Sequence, residues 1–209
     1  MKKSVAMPRI GQLLFLVTAL VALASAAPGR APAAPQNTQL TLKLDAPHSA
    51  IHWTLGSTLH TVHGTFAMKR GEVHVDPATG AATGEFVADA TSGKSDNDSR
   101  DRKMHKEILE SAKYNDVVFR PTKIDGAISL QGSSNVQVHG IFVLHGSEHE
   151  ITVPVQAELT GTQWKGSAKF SIPYVQWGLK SPNTFLLKAD PAVQVELELA
   201  GSLQSTAAQ

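Results

Sequence analysis

The run Arg100-Asp101-Arg102-Lys103-Met104-His105 packs three cations, a carboxylate and an imidazole into a single stretch. It lies inside SDNDSRDRKMHKEILESAKYNDVVFRP, residues 95–121. At helical spacing Asp101 and His105 are four apart and share a flank, where a carboxylate can orient an imidazole for proton transfer. No obvious nucleophile accompanies the pair, so a solvated i,i+4 pair is the simpler reading.

The chain has nine histidines and no cysteine. His60 and His63 are three apart, the wrong spacing for one face of a strand, whose side-chain period is two. His139 and His145 share a face but stand about 20 Å apart along an extended strand. His145 and His149 flank a turn signal and could meet across a hairpin. With no cysteine and no carboxylate partner pattern, a structural zinc site is not indicated, and no metal or other cofactor is expected. Motifs for a nucleophile elbow, a phosphate-cradling glycine loop and a zincin helix are all missing. The chain is therefore expected not to be an enzyme.

Something must position these residues, and the elements around them alternate with period two. Ile51, Trp53 and Leu55 share one face, as do Val62, Gly64, Phe66 and Met68, and then Phe86, Ala88 and Ala90. The pattern returns in Val117 and Phe119; in Val136, Val138, Phe142 and Leu144; and in Ile151, Val153, Val155, Ala157 and Leu159. It closes with Trp164, Ala168, Phe170 and Ile172, then Val193, Val195, Leu197 and Leu199. Turn chemistry separates the runs at residues 76–80, at Asp125-Gly126, at residues 132–135 and at Gly146-Ser147. Neighbours joined by short turns pair antiparallel, and this many strands must stack as two sheets or close as a barrel. Alternation alone leaves both open, with the barrel preferred.

The exception is residues 99–112. Ser99 or Asp98 is a cap candidate, and Met104, Ile108 and Ala112, with Leu109, form an apolar stripe at helical spacing. One amphipathic helix is expected to lie on the barrel wall or across an open end. Trp53, Phe66, Phe86, Phe119, Phe142 and Phe170 fall on apolar faces, where they either fill a core or line a cavity. Small residues on the same faces (Gly64, Ala88, Ala90, Ala168) favour a cavity.

The ends read differently. Lys2, Lys3 and Arg9 precede an apolar run over residues 13–24, and Ala24-Ser25-Ala26 fits small-x-small cleavage. Residues 1–26 are thus expected to be a signal peptide cleaved after Ala26, which places the mature chain in the periplasm or outside the cell. The run is shorter than the roughly 20 residues of a membrane span, so the mature chain is expected to have none. Removing those three cations, with no acid, takes the formal charge from +1 to −2. The mature chain therefore offers no cationic field for nucleic acid. Residues 27–37 read as a Pro/Ala-rich disordered linker and residues 202–209 as a frayed polar tail. About 165 residues remain, at 38–201, enough for one well-buried domain.

In their order along the chain, several segments resemble the YceI-like proteins. They begin with His48-Ser49-Ala50-Ile51-His52-Trp53-Thr54-Leu55 and His60-Thr61-Val62-His63-Gly64-Thr65-Phe66. The most specific is Arg100-Asp101-Arg102-Lys103-Met104-His105 with Leu109, Tyr114 and Val118-Phe119. Val138 to Gly146 and Trp177-Gly178-Leu179 follow in order. Two features depart from the family pattern. Asn115-Asp116 stands where the family commonly has a proline, and residues 173–188 carry Lys180 and Lys188 in place of an arginine. The resemblance implies an all-β, antiparallel, lipocalin-like extended barrel with one short amphipathic helix insert. It further implies a secreted lipid-binding protein with a long isoprenoid or acyl chain as its partner. In that reading the six aromatics line the interior, and Arg100, Asp101 and His105 shape the lid or the headgroup end. A filled barrel serving as a structural or interaction protein of the envelope is the alternative, and homodimerisation is left open.

Overall fold

The structure, a computed structural model, describes residues 38–207; the expected signal peptide and the linker lie outside the described residues. Nine antiparallel strands follow one another: β1 Thr38–Leu44, β2 Ala50–Leu55, β3 Val62–Val75, β4 Ala82–Lys94, β5 Asp116–Asp125, β6 Gly132–Leu144, β7 Ser147–Thr160, β8 Gln163–Ile172 and β9 Val193–Ala207. Each neighbours the next across the sheet from β4 to β9, β9 then pairs with β2 and β2 with β3, and a β3–β4 ladder closes the ring. The choice left open by alternation falls to the barrel.

The nine strands occupy eight positions, because β1 and β2 share one. β2 pairs with the first half of β3 (Ile51 opposite Phe66) and with the start of β9 (Ile51 opposite Leu197). β1 takes up the remaining length, with Leu40 opposite Val75 and Leu44 opposite Gly201. Between them a single 3-10 turn at Ala46–His48 steps the chain aside, tied in by the Asp45 amide donating to the Ala200 carbonyl at 2.8 Å. Closure removes the sheet edges that would otherwise expose unpaired amides.

β9 runs through Ala207 and pairs along β1 as far as Thr38, with Leu203 buried. The polar tail expected from Ser202 is therefore strand through Ala207. Its alternation is masked because Gly201, Ser202, Gln204 and Ser205 surround a single inward leucine. Residues 132–135, expected as a turn, open β6 instead.

Topology sorts the connections between two ends. Residues 76–81, 126–131 and 161–162 lie at one end. Residues 56–61, the insert 95–115, the turn at His145-Gly146 and the long segment 173–192 lie at the other. The first end is packed shut around Leu40, Val73, Val75, Ala82, Leu159, Trp164 and Leu203. Trp164 is the largest of these, and Gly201 on β9 makes room for it: a Cβ there would come within 2.6 Å of the indole nitrogen. At the second end the hairpin turns through His145 (φ 53) and Gly146 (φ 78), both left-handed as a two-residue hairpin turn with right-handed strand twist requires.

The helix of the insert is shorter than expected. α1 spans Asp98–Lys103, and its cap is Asn97, whose side-chain oxygen accepts from the Arg100 amide at 2.9 Å, rather than Ser99 or Asp98. From Met104 to Ile108 the coil widens to a π turn, with the Leu109 amide donating to the Met104 carbonyl at 2.9 Å. Ala112 falls beyond it. Such a widened turn shifts the stripe, so that Met104, Ile108 and Leu109 face inward together. Among the described residues, no helix is long and apolar enough to cross a membrane.

Candidate functional site

The inward faces do not meet in the middle of the barrel. They enclose an elongated cavity of about 790 Å³, shut by the Trp164 cluster at one end and opening at the other. All six aromatics singled out in the sequence line it: Trp53, Phe66, Phe86, Phe119, Phe142 and Phe170. They sit there because strand alternation puts each on the inner face of its strand. Phe142 and Phe170 meet edge to face with centroids 6.5 Å apart.

The small inward residues divide into two groups. Ala88 and Ala168 leave open space along the wall, as does Gly166, which sequence alternation did not single out. Gly64 is different, since a Cβ there would stand 2.3 Å from the Trp53 ring, so the glycine is a seat for the indole and not a void. Ala90 is buried but does not reach the cavity.

Polarity is graded along the axis. The charged groups among the described lining residues are Arg100 and Lys103, and both belong to the insert at the mouth. Ser57, His60, Asn97 and Ser99 stand in the same rim, and no carboxylate lines the cavity among the described residues. Segment 173–192 contributes Tyr174, Leu179, Pro182, Leu187 and Ala189. Burial pushes the Tyr174 phenol above its ordinary value, and its hydroxyl donates to the Asp190 carbonyl at 2.8 Å. These residues were invisible to period analysis because the segment is neither strand nor helix. Only Trp177-Gly178-Leu179 marked it, and Gly178 there has φ 92.

Arg100, Asp101 and His105 are organised as a frame, and they do not pair as a catalytic set. The Asp101 carboxylate accepts from the Ser95 amide at 3.1 Å and from the Ser95 hydroxyl. The Arg100 guanidinium donates to the same hydroxyl and to the Ser95 carbonyl, each at 2.7 Å. Ser95 is 3% exposed, so this clasp is nearly dry. His105 bridges the Gly93 carbonyl and the Ser111 hydroxyl, both at 2.9 Å. A carbonyl only accepts, so the Nε2–H donates to Gly93. Asp101 and His105, expected to shape the lid or headgroup end, face Ser95, Gly93 and Ser111 and are not among the residues that line the cavity. Of the three, only Arg100 reaches the mouth. The cause is the left-handed turn at Asp96 (φ 58), which folds the start of the insert back on Ser95.

The clasp makes a specific prediction. Asp101→Ala strands the Ser95 amide and hydroxyl in a buried site, at a cost of about 1–3 kcal/mol. Hydrogen exchange should show faster opening of residues 95–111 in the variant, with protection of β6 and β7 unchanged. Equal protection of the insert in both proteins would show that the clasp does not hold it.

Several of the other histidines have a local partner. His145 packs on Tyr114 with centroids 4.3 Å apart, and His149 stacks on Trp177 at 4.1 Å and 2°. The second contact ties segment 173–192 to β7, while Phe142 touches the same indole at 5.7 Å. His63 meets the Thr54 hydroxyl at 3.0 Å across the β2–β3 ladder, and His139 meets Asp125 at 2.8 Å on the outer face. Lys69, held above its ordinary value by its hydrogen bond to Asp116, pins the start of β5 to β3.

Comparison with known proteins gives one family and a set of similar folds. The YceI-like domain model matches residues 42–201. The crystal structure of Burkholderia cenocepacia BcnA superposes with a TM-score of 0.62 at 17% identity, covering 76% of this chain and 99% of that one. A structure described as a polyisoprenoid binding domain from Saccharophagus degradans, implicated in plant cell wall breakdown, gives 0.59 at 16% identity over 81% and 99%. The Campylobacter jejuni YCEI protein gives 0.52 at 17% identity over 69% and 86%. No curated protein sequence shows a significant match to the chain. At these identities the structures speak for the fold alone, an antiparallel closed barrel with one short helix. The family match spans nearly all of that barrel, and the chain belongs to the YceI-like family.

Proposed function

We propose that this protein binds lipid, holding one long isoprenoid or acyl chain inside the barrel with its polar end at the insert. The observation that carries the reading is the axial gradient: an apolar bore, shut at Trp164, whose charged lining groups, Arg100 and Lys103, stand at the open end. A linear apolar molecule with one polar terminus matches that gradient, and an anionic terminus would suit two cations in a lining that, among the described residues, includes no carboxylate. The neighbour described as a polyisoprenoid binding domain supports the same ligand class.

The energetics suffice without a polar motif. Each buried methylene contributes roughly 0.8 kcal/mol, so ten of them supply about 8 kcal/mol before ordering costs. That corresponds to dissociation constants on the order of micromolar. Catalysis has no place in this reading, because the Asp101 and His105 side chains are both occupied with Ser95, Gly93 and Ser111. Export to the periplasm or beyond fits the same role, on the charged start, apolar run and Ala24-Ser25-Ala26 of the sequence.

Native mass spectrometry of protein purified from its own cell envelope, with lipid extraction in parallel, tests the proposal. A single co-purifying chain per protein is the expected result. If none co-purifies, and polyprenyl and fatty-acyl probes added afterwards also fail to bind, the reading is wrong.

A further inference from the structure

Five large hydrophobic side chains are exposed among the described residues, and they are not scattered. Leu59, Val175, Phe185 and Leu186 belong to the two segments that frame the cavity mouth, and only Leu130 lies at the closed end. Phe185 is 96% exposed and Leu186 75%. Side chains of this size at this exposure, adjacent in sequence, mark a surface that meets something apolar.

The backbone beneath them is built to hold them out. Residues 184–187 form a turn in which the Thr184 amide donates to the Leu187 carbonyl at 2.9 Å and the Leu187 amide to the Thr184 hydroxyl at 3.1 Å. Phe185 and Leu186 are the two residues at its tip. The turn is in turn zipped to the loop that carries Leu59. The Thr58 amide donates to the Lys188 carbonyl at 2.9 Å, the Lys188 amide to the Thr58 hydroxyl at 3.2 Å, and the Asp190 amide to the Gly56 carbonyl at 2.9 Å. The result is a flap whose apolar tips stand proud while these amides are already paired. Paired amides lower the cost of entering a poorly hydrated phase.

Charge separates a bilayer from other occupants. Residues 55–62 and 175–189 contain no aspartate or glutamate; their charged or titratable members are His60, Lys180 and Lys188. Both lysines are exposed. Across the whole chain acids and bases are nearly equal, 18 against 19, so an acid-free stretch of this length around the apolar tips is a local feature; it ends at Asp190, whose carboxylate lies against Gly56. Apolar tips flanked by cations are the pattern of a segment that sits in the headgroup region of an anionic membrane. The cavity opens beside the same flap, through Ser57, His60, Pro182, Leu187 and Ala189.

We infer that the mouth flap docks the barrel on the surface of an anionic lipid bilayer, with Phe185 and Leu186 inserted and Lys180 and Lys188 against the headgroups. The inference rests on the reading that the cavity holds a lipid chain. A chain crossing water would expose every methylene that both bilayer and barrel bury, so passage is easiest with the mouth in contact with the membrane. The tips stand beside the opening, where they would touch the leaflet first and bring the bore over it.

The test is flotation with vesicles of phosphatidylethanolamine and phosphatidylglycerol at about three to one, against pure phosphatidylcholine. The wild type should float with the anionic vesicles, more weakly at high salt. The double variant Phe185→Ser/Leu186→Ser should bind them roughly tenfold more weakly or worse. Lys180→Gln/Lys188→Gln should weaken the salt dependence, with Arg100 and Lys103 at the mouth left in place. All four side chains are exposed, so these proteins should fold. Loading with a fluorescent fatty-acyl probe from detergent micelles should be equal in wild type and tip variant, while loading from vesicles should slow only in the variant. Equal flotation of wild type and tip variant, or no flotation of the wild type, overturns the inference. A dimer that the tip substitutions split, with no vesicle binding, overturns it in favour of a second copy on this face. Flotation that depends on the tips in a protein that takes up no chain by either route would leave the docking intact and sink the lipid-holding reading.

Discussion

Trp164→Ala is expected to lower the melting temperature by roughly 10 °C and to open the shut end of the barrel. A buried Trp→Ala change costs about 3–5 kcal/mol through lost burial and the void left behind. For a chain of this size each kilocalorie shifts the midpoint by about 2–4 °C. Trp164 is 5% exposed and packs among Leu40, Val73, Val75, Leu159 and Leu203, with the Phe86 ring 6.1 Å away. Gly201, which yields space to the indole, has no side chain with which to fill the vacated volume. The indole nitrogen is buried with no hydrogen-bond partner among the described residues, so Trp164→Phe should cost much less than the alanine change. Thermal unfolding by circular dichroism measures both. A fall of less than about 2 °C for Trp164→Ala would mean that the closed end is not a packed plug.

The second large effect should fall on binding and spare stability. Ala168 faces the cavity from the middle of β8, between Val155 on β7 and Leu197 on β9. Ala168→Phe places a ring in the bore. If the bore holds a chain, the ring displaces about three methylenes, worth roughly 2.4 kcal/mol at 0.8 each. Affinity for a long acyl probe should then fall about 50-fold. The folded protein should melt no lower than the wild type, since the ring enters space that is empty. A solid core predicts the reverse, with overpacking costing about 1–3 kcal/mol. Probe titration and thermal unfolding of the same variant thus separate a lipid-holding barrel from a filled one. An unchanged probe affinity in a well-folded Ala168→Phe protein would remove the chain from the bore.

Two parts of the insert were legible in residues 95–121 to different degrees. Of the stripe Met104, Ile108 and Ala112 with Leu109, readable because helical spacing is local, Met104, Ile108 and Leu109 line the mouth while Ala112 is exposed beyond the π turn. The relation of Asp101 to His105 was not, because sequence spacing measures which side chains share a flank and says nothing of better partners elsewhere. Ser95 lies before the helix and Ser111 after the π turn, and each takes one of the pair. The frayed end expected from Ser202 failed for a related reason: the partner that makes it a strand is β1, at the opposite end of the domain.

Alternation of apolar residues settled which side chains point inward, because a strand's side-chain period is two wherever the strand is placed. That was enough to assign all six wall aromatics, since an inward position needs no knowledge of the neighbouring strand. Whether those aromatics meet or stand apart was beyond it. The width of the bore depends on eight strand positions, on the sharing of one by β1 and β2, and on the closing ladder between β3 and β4. None of these is a property of any one segment. The mouth depended on the fold still more heavily. Residues 56–61 and 173–192 carry no period, and they become one flap through hydrogen bonds between distant residues, such as Thr58 and Lys188, 130 positions apart, and Gly56 and Asp190.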